Sequence, residues 1–529
     1  MMRSFFLWLW LSLSLSPLLP QSFAADKQDH QDDHDNEAAN HKDRTLQNGK
    51  FSNCGDTPAN ACQVTVAIVG AGWAGLTVGY ALTFPRGRGS TDDFVIFETN
   101  DYYGGRSKTI QNKFKAGFPV EEGSAWLYPG SGPSQNAQWS KIPTFRTKFK
   151  DIGSMTFFKD YGSMGGLTST EELTLVKDNY KQTFLPFAAS RTDKSMGTIA
   201  NEYFASPECN NFADCTQDAE PHRQIINAIL EANVYLEFTG TPNDLDSSDP
   251  IDFLSKGNPS AKGNTIDYTG VAGGGVDKIL QAFVAEYKMG NKILLNTQVT
   301  EINTSDSSRV LLVAGGQYFS AKAVAVTVSL GLLKNDDITF IPPLSTSKQN
   351  AIADLGYGVL NKILLYWEQR PSWWPDGQVD MVLVTGADAS SDKITWFFNE
   401  QSQGQGNANY YSLAGFVAGD FAIAIESMAE NDVVAMAVAN LKKMFPTAAV
   451  SNPDKSLVTK WNNNPCTRGS YSYNKHGVDN DAARQALATP EGRLFFAGEA
   501  NDVVWYATTA GAFISGEYTA DKIRDFLSW

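Results

Sequence analysis

Apolar and polar positions alternate along this chain in blocks of different period. Residues 5–19 form an apolar run broken only by serines, and residues 26–50 are polar with almost nothing to bury. From residue 64 the pattern becomes Val-Thr-Val-Ala-Ile-Val, a β-branched run that predicts a strand buried on both faces. Residues 76–82 continue at helical spacing, and Phe94-Val-Ile-Phe97 predicts a second strand. Further strands are expected at 293–302, 323–328, 362–367, 394–398, 410–416 and 494–497, with a helix at 432–444. No internal repeat is visible.

Composition narrows the class. The chain has 529 residues, 42% hydrophobic and 12% aromatic, which excludes wholesale disorder and collagen-like or coiled-coil repeats. At that length two or three domains, or one built from interleaved segments, are expected. The net charge of −15 and a pI near 4.9 argue against a nucleic-acid partner and are compatible with cationic substrates. Arg3, the short apolar run, Pro17 and Pro20, then Ser22 and Ala24 at the −3 and −1 positions read as a signal peptide over 1–24. The run falls short of the roughly 20 apolar residues a bilayer span needs, and a retained anchor is the alternative. Secretion without stable membrane insertion is therefore expected. Residues 25–60 read as a disordered N-terminal segment; a metal-binding tract through His30, His34 and His41 is the rival. In an oxidising compartment Cys54 with Cys62 and Cys209 with Cys215 are candidates for two local disulfides, among the pairings five cysteines allow, leaving Cys466 free. No cysteine spacing fits zinc, so no metal is expected. Asn303-Thr-Ser is a glycosylation sequon.

The strand from residue 64 runs into Gly70-Ala-Gly72-Trp-Ala-Gly75 and then the helix. Gly70 serves the tight turn, Gly72 the approach of backbone to a pyrophosphate, and Gly75 the packing of helix on strand. The helix N-terminus offers free N–H groups to phosphate. Glu98, closing the second strand, is placed to accept ribose hydroxyls. Together these indicate a dinucleotide site. Next come Tyr103-Gly104-Gly105-Arg106 and Glu121-Glu122-Gly123-Ser-Ala-Trp126. Paired glycines let main chain approach a cofactor, and Arg106 supplies a fixed positive charge.

At this point the sequence resembles the flavin amine oxidase family of polyamine and monoamine oxidases. The likeness continues in order through Val271-Ala-Gly273-Gly274-Gly275, the 293–302 and 323–333 segments, Phe496-Ala-Gly498-Glu499 and Thr508-Thr-Ala-Gly511. It covers most of residues 64–529, except parts of 130–260 and 376–455. The resemblance implies FAD, with the Val299 backbone meeting the adenine and Gly498, Glu499 and Thr508 near the flavin and its ribityl phosphate. It also implies an α/β fold of two domains, a Rossmann-type FAD-binding domain interleaved with a sheet-plus-helices substrate domain. The boundaries expected are 61–124, 262–345 and 455–529 for the first and 125–261 and 346–454 for the second.

In flavin oxidation the cofactor carries the hard step and the protein orients and sets charge. Outside the N-terminal tract only His222 and His476 remain, neither in a motif. The family's lysine, water-linked to flavin N5 and associated with reoxidation by oxygen, falls at Lys362 in an apolar strand. Burial there favours the neutral amine by desolvation. Tyr471 falls where monoamine oxidases place one aromatic wall. Ser470 stands where they carry the flavin-linking cysteine, which implies non-covalent FAD. The second wall position reads Thr508, with Trp505 or Tyr506 as substitutes nearby. Glu237 matches an acid of plant polyamine oxidases, whereas Tyr128 and Leu360 depart from that pattern. The expected partners are a small amine, a polyamine favoured, and molecular oxygen. An L-amino-acid oxidase and a non-catalytic, partner-binding flavoprotein are the alternatives.

Overall fold

The computed structural model describes residues 51, 54–83, 89–127, 155–159, 166–167, 180–210, 226–230, 235, 238–248, 250–251, 266–267, 274–375, 380–384, 394–400 and 409–529. The leader, most of the 25–60 segment, Tyr128, Cys215, His222 and Glu237 lie outside them. The first strand is Cys62–Val69. Val66 and Ile68 enter one core and Ala67 and Val69 another, so it sits mid-sheet. The eight-stranded sheet runs Thr339–Ile341, Val299–Asn303, Val310–Ala314, Gln317–Val326, Cys62–Val69, Phe94–Phe97, Ile293–Leu294, with Leu494–Phe496 also on Gln317–Val326. Around Cys62–Val69 the pairings are parallel; the Val310–Ala314 pairings are antiparallel.

Helices Trp73–Thr83, Val276–Glu286 and Thr509–Leu527 share the core that holds Val66 and Ile68. The sequence predicts disorder through residue 60, but order reaches back to Phe51. That ring is buried against Phe319, 5.5 Å between centroids, and Cys54–Cys62 form a disulfide. Phe51 was one apolar side chain in a polar stretch, and its partner lies far along the chain.

A second sheet of seven strands runs Lys455–Val458, Leu360–Trp367, Tyr411–Ala418, Trp396–Asn399, Asp380–Val384, Met155–Lys159, Gly166–Leu167. Lys455–Val458 pairs antiparallel with Leu360–Trp367, so these four residues belong to this sheet and not to the block expected from 455 onward. Pairing, which periodicity does not reveal, moves that boundary. Along Leu360–Trp367, Ile363, Leu365 and Trp367 fill one core and Leu364 and Tyr366 the other. Lys362 follows the second set by alternation.

Two buried ionisable groups join distant segments. Lys348 donates from Nζ to the carbonyls of Ala486, Leu487 and Thr489, using all three donors to cap the Asn480–Ala488 helix. Glu121 ends the Pro119–Glu121 strand and accepts from the Val276 N–H at 2.8 Å and Thr109 Oγ1 at 2.7 Å, fixing the start of the Val276–Glu286 helix. Burial pushes the Glu121 carboxyl up to about 8, against the pull of those bonds and of Lys362. With its folded pKa raised, Glu121 contributes stability that is full below the ordinary carboxylate range and lost as pH rises through about 8. Thermal unfolding across that window should show a Tm that falls with rising pH, and Glu121→Gln should flatten the slope. An identical slope in the variant removes Glu121 as its source.

Candidate active site

The turn after Cys62–Val69 opens a cavity of about 600 Å³ that reaches into both sheets. Gly70 has φ +104° and donates its N–H to Phe97 O at 2.8 Å, which joins the turn to the second strand. Gly75 lies one helical turn deeper, outside the cavity wall. A Cβ there would stand 1.9 Å from the Gly70 carbonyl, so only glycine lets helix and turn approach this closely. Gly72 and Gly105 do line the cavity. A Cβ on Gly72 meets nothing nearer than Gly104 O at 3.9 Å, and one on Gly105 nothing nearer than Gly72 Cα at 3.7 Å. Side chains at these two positions would fill the cavity instead of clashing with protein.

Glu98 is buried beside this turn. It accepts from the Ala71 N–H at 2.9 Å and from both the backbone and the side-chain amide of Asn100, at 2.9 and 2.7 Å. Burial raises its carboxyl above the ordinary value, and the bonds from Asn100 and Ala71 oppose the rise. Thr297, Gln298 and Val299 continue the wall, followed by Leu332, Ile338 and Cys466. Cys466 is a free thiol.

Arg106 and Glu499 form the cavity's ion pair, Nη1 to Oε1 at 2.8 Å, and the same Nη1 donates to Ser470 O at 2.8 Å. Glu499 follows Gly498, whose φ is +155°. Its other oxygen accepts from Ser472 Oγ at 2.6 Å and the Ala507 N–H at 2.9 Å. Burial alone would raise the Glu499 carboxyl; the Arg106 charge and the Arg106, Ser472 and Arg484 contacts hold it below its usual value. Thr508 lines the wall and caps the Thr509–Leu527 helix, its Oγ1 accepting from the Gly511 N–H at 3.0 Å. Two helix N-termini therefore open on the cavity.

The far wall is aromatic and apolar around one cation. Lys362 is buried at 5% exposure and donates from Nζ to Glu121 O at 3.0 Å and Gly123 O at 2.6 Å. Tyr471 lies in the short Tyr471–Tyr473 strand, paired with Gly356–Gly358. Trp505, Tyr506, Phe238 and Leu360 line the same space. Ser470 Oγ is engaged by main chain, accepting from the Leu360 N–H at 2.8 Å and donating to Leu360 O at 3.0 Å. The sequence reading missed Arg484; Ser472 and Trp461 fall in the 461–473 segment, which resembles the family's segment leading to the flavin face, but neither was given a role of its own. Arg484 was signalled by an apolar stripe: Asn480, Ala483, Arg484 and Leu487 are the buried positions of their helix, and an arginine on such a stripe needs a buried partner. Among the described residues no group of His, Cys, Asp and Glu could hold a metal ion.

A dinucleotide needs bare glycine backbone, helix N-termini and a carboxylate near the ribose, and this wall supplies all three. The Flavin containing amine oxidoreductase family model matches residues 73–524. Polyamine oxidase 4 of Oryza sativa subsp. japonica is 27% identical over 474 residues, covering 87% of this chain and 88% of that protein. Human lysine-specific histone demethylase 2 is 31% identical over 237 residues, 45% of this chain and 28% of that protein. A putrescine oxidase solved with putrescine bound superposes with a TM-score of 0.64 at 20% identity, covering 88% of this chain and 99% of that one. Cyclohexylamine oxidase from Brevibacterium oxydans IH-35A has the same score and identity over 88% and 100% of the two chains, a likeness of fold. The glycine turn, the Arg106–Glu499 pair and the family match over most of its length together make this chain a member of the flavin containing amine oxidoreductase family, an FAD-dependent amine oxidoreductase.

Proposed function

We propose that the protein is a secreted amine oxidase with a preference for polyamines, using oxygen as acceptor and holding FAD non-covalently. The observation that carries the reading is one cavity in which the dinucleotide turn meets Lys362 and an aromatic wall. Among the described residues its lining has four carboxyl groups, Glu98, Glu122, Asp337 and Glu499, against two cations, Arg106 and Lys362, while Lys108 and Arg468 pair with Glu122 and Asp337 from outside the wall. That excess suits a cationic substrate. The one arginine in the described lining, Arg106, is already paired with Glu499, which disfavours an amino-acid carboxylate as ligand. Polyamine oxidases among the relatives support the substrate class.

When bound, FAD would supply the two-electron acceptor, taking a hydride equivalent from the carbon next to the amine nitrogen and passing the electrons on to oxygen. The amine would lose two electrons and two protons to become an imine, water would split the imine to an aldehyde and an amine, and oxygen would take up the two electrons and two protons as hydrogen peroxide. Gly72, Gly105, Glu98 and the two helix N-termini would hold the cofactor's dinucleotide part. Tyr471 with Trp505 and Tyr506 would orient the amine's carbon and keep water off it. Lys362, held by two carbonyls at the cavity wall, would place a proton donor and acceptor beside the flavin. The engaged hydroxyl of Ser470 supports non-covalent attachment. For secretion, the support is the leader pattern and the Cys54–Cys62 disulfide, a bond favoured in oxidising compartments.

A peroxide-coupled screen with spermine, spermidine, acetylated polyamines, monoamines and L-amino acids tests the reading while the yellow cofactor is followed. Peroxide and bleaching with a polyamine are expected; bound cofactor that no amine bleaches would overturn it. Lys362→Met should keep the cofactor and slow its reoxidation by at least about 100-fold, the usual scale of a lost proton-transfer group. Acid precipitation should leave the yellow colour in the supernatant, whereas colour in the pellet would mean a covalent link. Protein recovered from the medium of expressing cells should begin at Ala25.

A further inference from the structure

Arg484 is fully buried and forms no part of the cavity wall, yet it touches the backing of both aromatic sides. Nε and Nη2 donate to Asn474 Oδ1 at 3.1 and 2.8 Å. Nη1 donates to Ser472 Oγ at 2.9 Å and to Ala500 O at 3.0 Å. The guanidinium lies over Tyr506, its carbon 3.9 Å from the ring centroid. Ser472 adjoins Tyr471 in one strand. Ala500 leads into the loop that carries Trp505 and Tyr506. One rigid fork thus spans two chain segments that meet only at this cavity.

We propose that Arg484 is a positioning residue that sets the Tyr506 side of the amine pocket against the Tyr471 side and so determines which amines fit. This rests on the amine-oxidase reading of the cavity. The loop's main chain is pinned by Asp502, which accepts from the Val504 and Trp505 N–H groups, and by Thr508 Oγ1, which donates to Trp505 O. Ala507 sits at φ +63°, a conformation that alanine rarely adopts, and its N–H is spent on Glu499. Those contacts fix main chain, while the guanidinium reaches the aromatic side chain itself. Lysine could supply the charge but not the planar fork.

The test compares KM and kcat of the holoenzyme for spermine and N1-acetylspermine. Arg484→Lys should retain FAD and change the ratio of the two KM values by about fivefold, the scale of one lost cation–π contact, with kcat nearly unchanged. Combined with Tyr506→Leu it should add nothing to that single change, because the arginine acts through the ring. Asn474→Ala unseats the fork without touching the wall and should shift the ratio in the same direction, which carries the test if Arg484→Lys fails to fold. An unchanged ratio in either folded variant, or additive effects in the double one, overturns the proposal. If the unmodified enzyme oxidises no amine, the functional reading fails by itself, and hydrogen exchange judges the clamp. Amides of 471–474 and 500–508 should then exchange faster in Arg484→Lys while Cys62–Val69 is unaltered, and equal exchange in both regions rejects it.

Discussion

The pairing of Arg106 with Glu499 is the constraint on which the site depends. Arg106 arrives from just after the second strand, Glu499 from the last strand, and their bond passes between segments nearly four hundred residues apart in sequence. Glu499 also takes Ser472 and the Ala507 N–H, so one carboxylate gathers four pieces of chain. Glu499 is the buried member of the pair and Arg106 is half-buried at the cavity wall, so removing the arginine would leave a buried carboxylate without its main compensation. Nearby Arg484 adds a second guanidinium that is satisfied by neutral acceptors and an aromatic face. The three groups together carry one excess positive charge beside a cavity that must accept phosphates.

The second sheet contributes through Lys362. A lysine in a row of Leu and Ile is tolerated because the strand delivers its ammonium to two carbonyls of the Glu121–Gly123 bend, in the first domain's cavity wall. The same bend places the Glu121 carboxylate on the Val276–Glu286 helix. Substrate-side and nucleotide-side elements are therefore joined by buried polar contacts as well as by packing.

Much of this was legible from residues. Cys62–Val69, the glycine turn and Phe94–Phe97 announce themselves by local pattern: β-branched runs, glycines at fixed offsets and a helical period directly after. The order of motifs places Gly498, Glu499 and Thr508 with Gly70 and Arg106 only through family likeness, since nothing local in Phe-Ala-Gly-Glu points toward an arginine so far upstream. Phe51 was misread because a single apolar residue in polar surroundings carries no period. Lys455–Val458 fell on the wrong side of a boundary because strand pairing is a long-range choice. Arg484 went unnoticed although its stripe was readable, since an arginine is ordinarily placed at the surface by default. Glu237 and Tyr128, on which the polyamine pattern turned, lie outside the described residues.

The interleaving also has a consequence for synthesis. After Cys62–Val69 is made, its neighbour Gln317–Val326 emerges more than two hundred residues later, and the Leu494–Phe496 strand beyond that later still. The Trp73–Thr83 helix and Val66 and Ile68 share their core with Phe513, Ala520 and Ile523 of the terminal helix. A nascent chain on the ribosome thus carries a glycine turn with no completed sheet behind it until residues 494–523 have been made. Topologies dominated by such distant pairings fold slowly and expose apolar strands meanwhile. The cofactor has no finished cavity to enter until residues 494–523 have joined Cys62–Val69, so losing the Thr509–Leu527 helix would strip the core from behind a glycine turn more than four hundred residues upstream.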